Sequence, residues 1–313
     1  MIDTIVVGID QTEFSLGALE WALTRAEGLR LVLARVVDDT IVAADYLVTP
    51  ATIAAAQLAL SALAESVRDE NPGMEVSTAL LRGDPITELS RLATSTVLLV
   101  VGTRARTASR LRYAWSVGTR LASIAPGPIA VIPIAPGPIA PGEIAAVPVA
   151  AVPVAVGERT DAPPAGPVVV GTDGSESSAA AVRFAADEAL RAGVPLRLVH
   201  AWLEPTLYRD ASLVADSGFF HSIEDSHRQI LDSVVDGLRA EHPALEVHPE
   251  LVHRAPAWAL LESAQGASML VVGNHGLTGL SRLLLGSVSH TVMLNLVSPT
   301  VVVKLEAESA PGA

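Results

Sequence analysis

One short phrase is written twice in this chain, and the repetition limits what the chain can fold into. Ile5-Val6-Val7-Gly8-Ile9-Asp10 returns as Val168-Val169-Val170-Gly171-Thr172-Asp173, and the residues after each copy keep step with the other. Each phrase leads into a predicted helix, 16–26 and 178–191, and then into an apolar strand, 31–37 and 196–202. Arg82-Gly83-Asp84-Pro85 answers Arg254-Ala255-Pro256, and each opens a helix with proline in its first turn. The run 97–101 ending at Gly102 answers 269–272 ending at Gly273, and Ala130-Val131-Ile132 answers Val301-Val302-Val303. Repetition at this scale is a duplicated domain, since solenoid repeats are shorter. A chain of 313 residues suits two domains of about 140 residues each.

Apolar runs alternating with helical segments predict βαβ units around a parallel sheet. Strands buried on both faces read as unbroken Val, Ile and Leu, as these do. The predicted fold is therefore α/β, two tandem Rossmann-like domains. In such sheets ligands lie beyond the carboxyl ends of the strands, which is where Asp10, Asp173, Gly102 and Gly273 fall.

Half the residues are hydrophobic but only 4% are aromatic, so the cores must be built from Val, Leu, Ile and Ala. A formal charge of −13 disfavours nucleic acid and anionic membranes as general partners. The absence of cysteine excludes disulfides, thiol catalysis and cysteine-ligated zinc. The uncharged stretch 121–142 is long enough to suggest a membrane span, but its six prolines would break a spanning helix repeatedly. No basic leader precedes the first apolar run. The expected setting is soluble and cytoplasmic. Eleven of the 21 prolines fall between Ala125 and Pro167. Most of that stretch, residues 134–166, is predicted to be an extended connector between domains at 1–133 and 167–305, with a tail at 306–313. Its apolar character leaves a second arrangement open, in which 139–156 lies across one domain's surface or pairs as an edge strand.

Gly273-Asn274-His275-Gly276 follows the apolar run 269–272, and Gly286-Ser287 comes nine residues later. Glycines let backbone amides approach an anion closely, a helix start adds partial positive charge, and Ser287 and Ser289 could add hydroxyl donors. The spacing alone fits either a phosphate site or a tight turn followed by an unrelated helix start. All eight histidines lie at or after His200, but no two sit at i, i+4, so they read as scattered surface or loop residues and no metal site is assigned. Arg104, Arg106, Arg110 and Arg112 form either a solvated loop or a contact for an acidic partner.

The pattern G-x-x-G-x9-G-[S/T] ahead of a last apolar strand, here GNHGLTGLSRLLLGS before residues 300–304, resembles the nucleotide motif of the universal stress protein family. The Asp ending the first strand, in Gly171-Thr172-Asp173-Gly174-Ser175, is that family's other landmark. The resemblance covers 167–305 and, more loosely, 1–133. It implies two adenine nucleotide α-hydrolase-like domains, each a mainly parallel five-stranded sheet flanked by helices. It implies that the second domain binds ATP with magnesium. Thr172, Asp173, Gly174, Ser175 and the backbone of His200 and Ala201 would face adenine and ribose, and Val252 would lie against the base. Gly273, Asn274, His275, Gly276, Gly286, Ser287, Val288 and Ser289 would hold the phosphates and metal. It also implies that the domains pair through their last strands, 130–132 and 301–304, forming within one chain the dimer that single-domain relatives make from two.

A gap-free alignment from Gly102 and Gly273 puts Ala105 at Gly276 and Trp115 at Gly286. A methyl at Ala105 restricts positive φ there and an indole at Trp115 would fill space that a phosphate needs, so the first half reads as a degenerate copy that either does not bind nucleotide or binds with altered selectivity. No catalytic residue is assigned, because no general base or arginine finger flanks the motif. The reading is a nucleotide-dependent stress-response regulator. Its rivals are a slow ATPase or phosphotransferase and a nucleotide-independent protein-interaction module.

Overall fold

A computed structural model describes residues 2–40, 48–105, 116–134, 166–203, 217–274 and 285–304. The chain divides into two units, Met1–Pro163 and Pro164–Ala313. The first unit runs β1 (Thr4–Gly8), α1 (Glu13–Leu23), β2 (Arg30–Val37), α2 (Pro50–Glu70), β3 (Val76–Arg82), α3 (Pro85–Leu92), β4 (Val97–Arg104), α4 (Val117–Ile124) and β5 (Ile129–Ile134). The second runs β6 (Val168–Gly171), α5 (Glu176–Ala192), β7 (Leu196–Trp202), α6 (Ser217–Glu241), β8 (Val247–His253), α7 (Pro256–Ser263), β9 (Met269–Gly273), α8 (Ser287–Met293) and β10 (Thr300–Val303). The expected α/β class holds in both.

Within the first unit the strands lie in the order β3-β2-β1-β4-β5, and within the second in the order β8-β7-β6-β9-β10. Neighbours run parallel throughout both sets. The first strand of each unit is central, and its covering on both faces accounts for its composition: Ile5, Val7, Val169 and Val170 are wholly buried, as are Leu99, Val100, Leu270 and Val271 beside them. The chain winds outward on one side of this strand and then crosses to the other. The order therefore reverses between β1 and β4, and again between β6 and β9. Such a reversal opens a crevice at the carboxyl ends of the two strands, where ligands of doubly wound sheets bind.

The edge strands β3 and β8 carry VSTALLR and VHPELVH, whose polar residues hide them from an apolar-run search. Their register places Leu31 beside Val76 and Leu196 beside Val247. The connection from β2 to β3 is α2, opened by Thr49 and Thr52 in a reciprocal cap with Pro50 at its start. Among the described residues it is one helix long and apolar enough to cross a membrane. Its buried stripe, Ala56, Leu60, Leu63, Ala64 and Val67, recurs at helical spacing, and the helix packs on β2 and β3. The connection from β7 to β8 is α6, which packs on both of its strands.

The duplication extends to single atoms in the turn after the first strand. Asp10 Oδ1 accepts from the amide and hydroxyl of Thr12 at 2.9 and 2.6 Å, and Asp173 Oδ1 accepts from the amide and hydroxyl of Ser175 at 2.9 and 2.5 Å. Thr12 and Ser175 then cap α1 and α5. The middle residue of each turn is left-handed: Gly174 at φ 79° and, in the first unit, Gln11 at φ 68°. Only glycine takes that conformation without a steric cost.

A second constraint recurs where β4 and β9 end. A Cβ on Gly102 would stand 1.9 Å from the Phe14 carbonyl oxygen, and one on Gly273 would stand 2.8 Å from that of Ser177. The strand end and the first turn of α1 or α5 thus touch backbone to backbone. Each constraint can be tested by one substitution. Gln11→Gly should stabilise the first unit by about 1 kcal/mol through relief of left-handed strain. Gly102→Ala should destabilise it by about 1–3 kcal/mol or more, since the carbonyl cannot yield as a flexible side chain would. Chemical denaturation of both variants beside the parent chain measures each shift.

Candidate functional site

In the second unit, the crevice between the ends of β6 and β9 collects most of the residues singled out above. Thr172 anchors one wall. Its amide donates to the Val199 carbonyl at 2.9 Å, extending the β6–β7 ladder by a step. Its hydroxyl accepts from the Gly174 amide at 3.3 Å. Asp173 comes next, with one carboxylate oxygen held by Ser175 and its amide directed at Ser178 Oγ, 3.4 Å away. Asp173 is exposed while its turn is tied down on both sides.

The opposite wall begins where β9 ends. The Asn274 amide donates to the Val303 carbonyl at 2.8 Å, and the Asn274 carbonyl accepts from Ser177 Oγ at 3.0 Å. Its side-chain oxygen accepts from the Gly286 amide at 3.2 Å. Asn274 is 5% exposed. It therefore closes the glycine segment, joining its first residues to the residue that starts α8. Resemblance placed Asn274 among phosphate ligands; the structure shows its amide oxygen bonded to Gly286. Ser177, which sequence reading passed over, completes the clamp from α5. His275 and Gly276 lie outside the described residues.

Helix α8 starts at Ser287 with Gly286 at the N-cap, and no side-chain hydrogen bond caps it. Ser289 is 1% exposed, and its hydroxyl donates back to the Gly286 carbonyl at 3.0 Å. Ser287 and Val288 are the first two residues of the helix. The equivalent start in the first unit differs. There Ser116, aligned with Ser287, is the N-cap of α4, and its hydroxyl accepts from the Thr119 amide at 3.1 Å. The first unit satisfies a first-turn amide with its N-cap side chain, whereas among the described residues no side chain caps the start of α8. Arg104 stands at the end of β4, and Arg106, Arg110, Arg112 and Trp115 lie outside the described residues.

The third wall is the end of β7. Ala201 and Val252 are register partners in β7 and β8. Side chains alternate along a strand, so His200 and Trp202 point to the opposite face, toward α6. His200 is 3% exposed. Its Nδ1 lies 2.8 Å from the Thr172 carbonyl oxygen and its Nε2 lies 2.8 Å from His227 Nδ1 on α6. The Trp202 ring stacks on both His227, at 5.0 Å between centroids, and His253, at 4.3 Å. Burial first, and the His200 ring second, hold the His227 imidazole below its ordinary value. A cavity of about 230 Å³ opens on this face, lined among the described residues by Trp202, His221, Glu224, Leu251 and His253. Histidines read as scattered surface residues thus include one buried, doubly bonded side chain. Sequence spacing cannot show this, because the two partners sit on different elements 27 positions apart.

The sequence model described as the Universal stress protein family matches residues 1–133 and 165–304. The universal stress protein Rv1996 of Mycobacterium tuberculosis is 30% identical over 330 aligned positions, covering 98% of this chain and 96% of that protein. Among solved structures, a universal stress protein from Archaeoglobus fulgidus superposes with a TM-score of 0.63 at 16% identity, covering 97% of this chain and 99% of its own, a likeness of fold. Another solved universal stress protein, in complex with cAMP, is 30% identical and covers 45% of this chain, with a TM-score of 0.32. With the motif at the crevice, the duplicated fold and the match over both halves, the chain belongs to the universal stress protein family.

Proposed function

We propose that the second domain of this tandem universal stress protein binds one ATP with magnesium, and that the protein acts in the cytoplasm as a nucleotide-dependent stress-response regulator. The observation that carries this reading is the contrast between the two helix starts. Ser116 caps its helix from within, whereas Gly286 is pinned by Asn274 and leaves the first turn of α8 without a side-chain cap. Backbone amides at such a start, at the reversal point of a parallel sheet, suit the oxygens of a polyphosphate. In this reading Gly273, His275, Gly276, Gly286, Ser287 and Val288 surround the phosphates and their metal ion, and Asn274 and Ser289 hold the shape of the segment. Asp173 faces the ribose, with Thr172, Gly174 and Ser175 fixing its turn. Ala201 and Val252 lie along the base.

The first domain keeps the aspartate turn, through Asp10 and Thr12, but caps its helix with Ser116 where the second has Gly286 at the N-cap. It is read as a non-binding copy. A protein purified and acid-extracted should therefore release adenine nucleotide near one equivalent per chain; two equivalents would overturn the degenerate-copy reading, and a chain that neither carries nor takes up Mg-ATP would overturn the site. Gly286→Asp supplies a capping carboxylate of its own to α8 and sets it against a phosphate. It should weaken ATP binding at least about tenfold, by charge repulsion and loss of amides, while the thermal midpoint is unchanged or higher, as an Asp N-cap contributes stability. Calorimetric titration beside thermal unfolding separates the two effects.

A further inference from the structure

The imidazole pair on the α6 side, buried His200 and half-exposed His227, is unused by the nucleotide site, yet it is bonded to it. A carbonyl oxygen only accepts, so His200 must donate from Nδ1 to Thr172. Neutral His200 then has a lone pair at Nε2, and His227 must donate to it from its own Nδ1. The bonds run in one direction, from helix α6 through His200 to the backbone immediately before Asp173. A second contact reaches the residue immediately after it. A Cβ on Gly174 would stand 2.8 Å from Ile230 Cγ2, one turn along α6 from His227. The turn that presents Asp173 is thus bracketed from both sides by one helix. The first domain has Arg35 in place of His200, by register with the strand neighbour Ala34, and so carries no such pair.

We propose that His227 is a positioning residue for the nucleotide site: through His200 it holds the Thr172 carbonyl, and so the Asp173 turn, and the pair takes up a single proton that tightens nucleotide binding. This rests on the reading of the second domain as an ATP site. The pair accommodates one added proton and no more. A proton arriving at His227 Nε2 leaves both hydrogen bonds intact and makes the one from His227 to His200 charge-assisted, whereas a second would set two N–H groups against each other across 2.8 Å. Burial and the His200 ring keep His227 neutral at neutral pH, so the proton is gained on acidification. A cation gained there favours an anionic ligand, and by linkage the ligand favours the proton. The titratable and charged groups on the elements packed around the pair include Asp173 after β6, His253 on β8, and His221, Glu224 and Arg228 on α6. Of these Glu224 and Arg228 are joined to each other at 2.8 Å.

Two variants decide the matter. In His227→Asn the amide can still donate to His200 Nε2 but does not titrate; His227→Leu removes the donor. The parent chain and both variants are titrated with Mg-ATP by calorimetry at pH 7.5 and pH 5.5, and titration of ATP itself cancels in the ratio of Kd values at each pH. At pH 7.5 the Asn variant should bind within about twofold of the parent and the Leu variant about fivefold more weakly, the scale of one buried hydrogen bond. At pH 5.5 the parent should gain about threefold over the Asn variant, because only the parent takes up the proton. A Leu variant that matches the parent, or an Asn variant that keeps the parent's full pH response, overturns the proposal. If the Leu variant does not fold, the parent-to-Asn ratio alone decides between these outcomes. A parent chain that binds no ATP at either pH sinks the functional reading itself, a result distinct from tight binding that ignores position 227.

Discussion

A parallel sheet covered on both faces leaves its polar backbone only at its ends, and the rest of this protein depends on that constraint. The central strands are wholly apolar because helices lie on each side of them, as the complete burial of Val169, Val170, Leu270 and Val271 records. Chemistry is confined to the carboxyl ends of the strands. The reversal of strand order beside β6 then selects one crevice, between β6 and β9. Its width is set by a backbone contact. Gly273 lets β9 come against the carbonyl of Ser177, and Ser177 Oγ in turn bonds the next residue of the strand's exit, Asn274.

The two halves show how one architecture keeps a turn while altering a site. The aspartate turn is preserved bond for bond, even where the first half must hold Gln11 in a left-handed conformation. The helix start on the other wall is not preserved. Moving the N-cap from a glycine to Ser116 lets the helix satisfy an amide from within, and a start satisfied from within offers less to an anion. In the proposed reading, a substitution that stabilises a helix is also one that removes a binding group.

Much of this was legible in the residues. The apolar runs at 5–7 and 168–170, the glycines ending 97–101 and 269–272, and the repeated aspartate marked the central strands and the crevice, because buried strands and tight turns admit few residue types. The edge strands and the crossover helix α2 were not marked. VHPELVH is half polar because an edge strand is only partly covered, and it became a strand through its register with β7. Asn274 was legible as a member of the glycine segment, but its bond to Gly286 spans twelve positions and depends on how the segment closes.

Sequence by itself determined the duplication, the α/β class, the strands that form each core and the family, since each rests on local patterns of burial and turn chemistry. Only tertiary structure decided which side chains support the site. Ser177 reaches Asn274 because α5 and β9 pack against each other, and His227 reaches His200 because α6 crosses over β7. Contacts of this kind depend on the packing of separate elements, whose geometry is set by the whole core and is not written in any stretch of neighbouring residues.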